Sequence, residues 1–133
     1  MSDETSVPIE RDVDIVTARQ RGRELAVEAG FTGSDLTLIA TAISEVARNI
    51  VVYAERGEIR LGIANKNGRP GVQVVAADNG PGIPDIDQAM QDGFSTGRSL
   101  GLGLPGARRL MDEFEIVSEV GKGTTVTMRK WRL

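Results

Sequence analysis

Three groups of residues in this sequence have the types and spacing to do chemistry. Glu45 and Asn49 are four positions apart, so on a helix they share one face, roughly 40° from each other. An ideal wheel sets that face roughly opposite the apolar stripe of the same segment. Leu38 and Val52 lie near the same direction, and a fully solvated face would not favour them, so this second face reads as partly covered. A carboxylate and a carboxamide there suit a base and a ligand for Mg²⁺, which prefers oxygen donors.

The second group is Asp78-Asn79-Gly80-Pro81-Gly82-Ile83-Pro84-Asp85, directly after a strand-like run. Each of these residue types favours turns, yet a plain turn rarely needs two glycines and two prolines in eight residues. The reading is a rigid loop that lets a planar ligand approach the backbone, with Asp78 able to accept from an exocyclic amine. The third group is Gly93 to Leu104, a glycine-rich stretch running into a helix. Free N–H groups at a helix start attract anions, and Arg98 adds a full positive charge. Two look-alike motifs are set aside. Gly101 to Gly106 spells G-x-G-x-x-G but follows no strand. Gly121-Lys122-Gly123-Thr124 lacks the spacing of a Walker A loop and reads as a hairpin turn.

Composition narrows the chemistry. The 133 residues contain no Cys and no His. Disulfides, thiolate nucleophiles, His-ligated zinc, a Ser-His-Asp triad and phosphohistidine are therefore excluded. Any general base is a carboxylate, Lys, Tyr or activated water. The net charge of −3 argues against broad nucleic-acid binding. No run reads as long enough to span a membrane, and Met1-Ser2-Asp3-Glu4 lacks the basic and apolar parts of a signal peptide. These features fit a cytoplasmic protein. The length fits one domain over 1–133, and with aromatics at 4% the core must be aliphatic.

The elements that must position these residues follow from periodicity. Residues 5–10 fit a short strand. Residues 12–29 fit a helix with Asp12 as N-cap and Gly30 as stop. A second helix, capped by Ser34 or Asp35, runs to about Ala54, with Leu36, Ile39, Ala40, Ile43, Val46, Ala47, Ile50, Val51 and Ala54 at helical steps. The period then changes to two. Ile59, Leu61 and Ile63 alternate, and Asn65 to Gly71, containing Asn67-Gly68, joins them to Val72, Val74 and Val75 as a hairpin. Residues 101–112 fit a third helix. Phe114 to Val120 and Thr124 to Trp131 alternate around Gly121-Lys122-Gly123. Three helices and four or five strands with antiparallel hairpins predict a two-layer α/β sandwich, a mixed, mostly antiparallel sheet with helices on one face.

These pieces, in this order, resemble the Bergerat-type ATP-binding fold of the GHKL superfamily. Ser44 to Asn49 resembles its asparagine box, Asp78 to Pro84 its first glycine box, Gly101 to Leu104 its second and Gly121 to Thr125 its last. Any one match is weak, but four in order over residues 44–125 are specific. Ala42 to Tyr53, Asp92 to Thr96 and Gly101 to Phe114 further resemble the RsbT-type serine/threonine kinases of the bacterial stressosome. Pro105 departs from the superfamily pattern and matches this subfamily; a first helical turn tolerates it.

The resemblance implies roles. Asn49 would ligate Mg²⁺ on the ATP phosphates, and Glu45 would be the base for the accepting hydroxyl. Asp78 would bond the adenine amine, Thr124 would complete that site through water, and Gly80 and Gly82 would shape the loop that passes the base. Gly101 and Gly103 would present amides to the phosphates, and residues 85–100 would form a lid. The charge of Arg98, rather than the resemblance, suggests a contact to the γ-phosphate. It also implies STAS-domain stressosome proteins as substrates and a serine phosphatase as the activated target. The competing expectation is an anti-sigma-factor-type module that sequesters a sigma factor in a nucleotide-dependent way. A third, a simple ATPase, is disfavoured because no coupled domain is present.

Overall fold

A computed structural model describes residues 4–91 and 103–132. The period-two segments become five strands: β1 (Thr5–Ile9), β2 (Gly57–Lys66), β3 (Arg69–Asp78), β4 (Glu113–Glu119) and β5 (Gly123–Trp131). They form one sheet of order β1-β2-β3-β5-β4. All four described pairings are antiparallel, so the expected mostly antiparallel sheet contains no parallel pair among the described residues. The β2–β3 turn is shorter than the predicted Asn65–Gly71. It consists of Asn67 and Gly68, both at positive φ (53° and 80°), as a two-residue hairpin of type I′ requires.

The helices are α1 (Asp12–Glu28), α2 (Ser34–Asn49), the short α3 (Ile86–Ala89) and α4 (Gly103–Leu110). The start of α1 differs from the predicted Asp12 cap. Arg11 takes the capping position, and Asp14 supplies the carboxylate, accepting from the amides of Glu10 (2.9 Å) and Arg11 (3.0 Å). Those two bonds hold the Asp14 carboxyl below the usual carboxylate range. Gly33, one residue before the predicted caps, precedes α2. The predicted helix 101–112 is observed over Gly103–Leu110. The lid region contributes α3, which periodicity did not reveal; Asp85 caps it by accepting from the Gln88 amide at 3.0 Å.

The helix that follows Ser34 changes character after Asn49. Ile50–Ala54 forms a π-helical turn, a widening often found at functional sites. By length and composition the 21-residue run Ser34–Ala54, whose most apolar 18-residue window has mean hydropathy 1.3, passes for a membrane span, which corrects the sequence expectation that no run is long enough. Half of its most apolar window is buried inside the protein, as in a core helix.

Strand register assembles the core in rows. Val7, Ile59, Ala76, Val126 and Ile116 stand side by side across all five strands. Leu61, Val74, Met128 and Phe114 form the next row. Both rows meet Ala18 and Leu25 of α1, Ile39, Ile43 and Val46 of α2, and Leu104 and Ala107 of α4 in one apolar cluster. This is the expected two-layer arrangement, with the helices against one face.

At the far end of the sheet, Glu113 ties several elements together. It accepts from Trp131 Nε1 (2.7 Å), Lys66 Nζ (3.1 Å) and Arg129 Nη1 (3.1 Å). The Trp131 bond first, then Lys66, holds its carboxyl below the usual range. With the folded value depressed, its contribution is present above the unfolded carboxylate value and is lost as pH falls through the folded one. Glu113→Gln should therefore flatten the acid limb of stability, read as the urea midpoint from neutral pH down to about pH 3. Ile43, fully buried and packed over Gly22, should cost roughly 2–5 kcal/mol on truncation to Ala; urea unfolding measures it.

Candidate functional site

The row next to the apolar ones is polar. Register places Ile9 opposite Gly57, Gly57 opposite Asp78, Asp78 opposite Thr124 and Thr124 opposite Ser118. Because strand side chains alternate with period two, this row projects to the same face as the core, at its end. Asp78 Oδ1 accepts from the amides of Gly80 (2.9 Å) and Thr124 (3.3 Å). Its second oxygen accepts no hydrogen bond among the described residues, which leaves an acceptor for a ligand. Thr124 is buried, as an ordered binding group would be.

Ser118 was not singled out from the sequence, yet it holds this end together. Its Oγ accepts from the Ile83 amide at 2.7 Å, lies 2.8 Å from Thr124 Oγ1, and donates to the Gly123 carbonyl at 3.2 Å. One hydroxyl thus joins the 78–84 loop to the β4–β5 hairpin. The signal was present in the sequence: a turn at Gly121-Lys122-Gly123 sets Ser118 across from Thr124. The loop itself is pinned a second time by the Gly121 amide, which donates to the Pro81 carbonyl at 2.8 Å. Gly82, at φ 80°, is needed for this packing. A Cβ there would run into the backbone carbonyl of Glu119, so among the described residues the close approach is to the hairpin. Gly80 lies against Ala54 with no room for a side chain: a Cβ there would come within 2.6 Å of the Ala54 methyl.

The other end of the site belongs to α2. Ser44 and Glu45 are buried, and the second face that the sequence suggested is covered by α4. The Ser44 hydroxyl donates to the Ala40 carbonyl at 3.0 Å. Glu45 Oε1 accepts from the Gly103 amide at 2.8 Å, and Oε2 accepts from Arg48 Nη1 at 3.2 Å. Gly103 opens α4 at φ 69°, a conformation that leaves its N–H pointing out of the helix start and favours glycine. Pro105 sits in the first turn of α4, where its missing N–H is not needed.

Asn49 ends α2 immediately before the π-helical turn. It is half-buried, and its carboxamide makes no hydrogen bond among the described residues. A free amide oxygen in that position fits a single hard-cation ligand. No group of three or more His, Cys, Asp or Glu among the described residues could hold a metal alone. That suits Mg²⁺, which commonly takes one or two protein ligands and completes its shell with phosphates and water. Arg98 and Gly101, together with Gly93 and the 92–100 part of the expected lid, lie outside the described residues.

Comparison with known proteins gives a consistent result. Residues 9–130 match the family model described as a histidine kinase-like ATPase domain. Over 131 residues, 98% of each chain, the sequence is 50% identical to serine/threonine-protein kinase RsbT of Bacillus subtilis (strain 168). Over 106 residues it is 35% identical to the anti-sigma F factor of Geobacillus stearothermophilus, covering 74% of this chain and 71% of that one. Among solved structures it resembles the mycobacterial sensor histidine kinase MprB. The TM-score is 0.57 with 14% identity, over 98% of this chain and 97% of that one, a likeness of fold.

The three contacts of the Ser118 hydroxyl predict its value. Ser118→Ala should leave the Ile83 amide without its acceptor, loosen the 78–84 loop and cost roughly 1–3 kcal/mol of stability. Faster hydrogen exchange at Ile83 than in the wild type is the expected reading.

Proposed function

Because the chain belongs to the histidine kinase-like ATPase family, and within it to the RsbT-type serine/threonine-protein kinases, we propose that this site transfers the γ-phosphoryl group of ATP to a serine or threonine hydroxyl of a partner protein. The observation that carries the reading is the 2.8 Å bond between Glu45 and the Gly103 amide. It brings the expected base and the second glycine box into one site from 58 residues apart.

In this reading the free oxygen of Asp78 accepts the adenine amine, and Thr124 completes that end through water. Gly80 and Gly82 keep the loop low enough for a planar base. The Gly101 amide and the Arg98 guanidinium would contact the phosphates, whereas the Gly103 amide, expected to do the same, is donated to Glu45 here and ties the base to the start of α4. The Asn49 carboxamide oxygen holds Mg²⁺, whose bound charge offsets that of the phosphates. Glu45 takes the proton of the attacking hydroxyl. Phosphoryl transfer depends mainly on positioning and charge stabilisation, and this set supplies both without a histidine.

The partners follow from the same likeness. STAS-domain stressosome proteins would be the phosphorylated substrates, and a serine phosphatase would be bound and activated by the released kinase. Phosphorylation adds charge and so weakens an interface, which lets one chain switch partners in the cytoplasm as a single 1–133 domain. Similarity to anti-sigma F factors supports a second reading, nucleotide-dependent sequestration of a sigma factor. Capture of a sigma factor, with neither phosphatase nor STAS partner, would favour it.

Calorimetric titration with ATP and Mg²⁺ tests the site. Asp78→Asn should weaken binding by ~100-fold while the fold persists; normal affinity in a folded variant would remove Asp78 from the adenine site. Glu45→Ala should keep binding and lose transfer by roughly 10²–10⁴-fold. Undiminished phosphorylation of a STAS substrate by that variant would remove Glu45 from the base role.

A further inference from the structure

The two oxygens of the Glu45 carboxylate have different partners. Oε1 accepts from the Gly103 amide at 2.8 Å, and Oε2 accepts from Arg48 Nη1 at 3.2 Å. The Glu45 side chain is 6% exposed and that of Arg48 36%. Arg48 is therefore a charge at the surface whose one hydrogen-bond partner among the described residues is buried beneath it. None of the roles derived above uses it.

A single hydrogen bond to Oε1 would leave the carboxylate free to turn about its last torsion, which has a broad energy profile. A second bond, to the other oxygen, fixes the carboxylate plane. The donor is well placed to do so, because i and i+3 residues are neighbours on a helix face. Guanidinium N–H groups keep a fixed planar geometry that suits carboxylates. Each carboxylate oxygen carries further lone pairs, so both bonds leave capacity to accept a proton. An exposed i,i+3 ion pair adds little to helix stability. With the glutamate buried, losing the arginine costs more than at an exposed pair, and it also frees the carboxylate plane to turn.

We propose that Arg48 is a positioning residue, which locks the carboxylate plane of Glu45 against the amide at the start of α4. The proposal rests on the reading of Glu45 as the base. The step it serves is simple in balance. The acceptor hydroxyl gives its proton to Glu45, its oxygen forms the bond to the γ-phosphorus, and ADP leaves with the electron pair of the broken P–O bond. Arg48 touches none of the reacting atoms and acts through the carboxylate alone.

Arg48→Gln and Arg48→Lys in the full chain test this, with Glu45→Ala as reference. The first readout needs no turnover: the ¹⁵N–¹H resonance of Gly103 and its solvent exchange in the free protein. Arg48→Gln should move that resonance towards its position in Glu45→Ala and speed exchange, and Arg48→Lys should restore most of both. The second readout is transfer to a protein substrate. Arg48→Gln should lower kcat on the order of 10²-fold, the scale of a misplaced catalytic group, with ATP affinity unchanged; the melting temperature should fall as well, because the variant leaves a buried carboxylate without its charged partner. A Gly103 amide indifferent to Arg48→Gln overturns the proposal, whatever the activity. A loss of ATP affinity as large as the loss of kcat, with no rescue by Lys, also overturns it, since it indicates general damage to the site rather than a misplaced carboxylate. If the wild-type chain transfers no phosphate while the Gly103 amide responds as expected, the kinase reading fails and the coupling of Arg48 to the carboxylate stands.

Discussion

Antiparallel register fixes one row of side chains on which both the fold and the site depend. Ile9, Gly57, Asp78, Thr124 and Ser118 lie side by side across five strands, one step beyond the rows that build the apolar core. Slipping any strand by one residue would turn its members to the opposite face. The polar atoms of this row are satisfied largely by one another and by the loop they hold. Asp78 takes the amides of Gly80 and Thr124, while Ser118 takes the amide of Ile83 and meets the Thr124 hydroxyl. The loop 78–84 is thus a continuation of the sheet's bonding, built without regular structure of its own.

The second half of the site rests on a helix with two buried faces. One face of α2 supplies Ile39, Ile43 and Val46 to the core. The other carries Glu45 and is closed by α4. Burying a carboxylate is costly unless it is paired and hydrogen-bonded, and Glu45 meets that condition through Gly103 and Arg48. The same bonds that make its burial tolerable also fix its direction. The π-helical turn that follows Asn49 widens the helix where the unpaired carboxamide stands. Stability and site geometry therefore share residues here, and a substitution at either end should be read on both scales.

Much of this was legible from residue types and spacing. The strand alternation of 59–64, 72–78, 114–120 and 124–131, the helical steps of 36–54 and the four ordered boxes gave the elements, the sandwich and the family. The candidate residues Glu45, Asn49 and Asp78 stood out by type and spacing, and their proposed roles come from the resemblance of the boxes that hold them. What escaped notice has identifiable causes. α3 is a single turn, too short to show a period. Ser118 looks like any polar residue in a strand until its cross-strand partner is known. The capping position of α1 is Arg11 rather than Asp12, and the carboxylate comes from Asp14, because a carboxylate in the first turn can reach back to preceding amides. The π-helical turn leaves no trace in a pattern of apolar steps.

By itself the sequence narrowed the class of chemistry: with no Cys and no His, any general base is a carboxylate, Lys, Tyr or activated water, and periodicity marked out the longer strands and helices. Only the tertiary structure decided which groups meet. Glu45 and Gly103 are 58 residues apart, and Asp78 and Thr124 are 46 apart. Local spacing carries no information about such pairs, because they are set by strand register and by the packing of α4 on α2. The structure also decided that Gly82 is pressed against the β4–β5 hairpin and that Arg48 points to the carboxylate it follows. Both are consequences of what surrounds a residue, which a linear pattern does not contain.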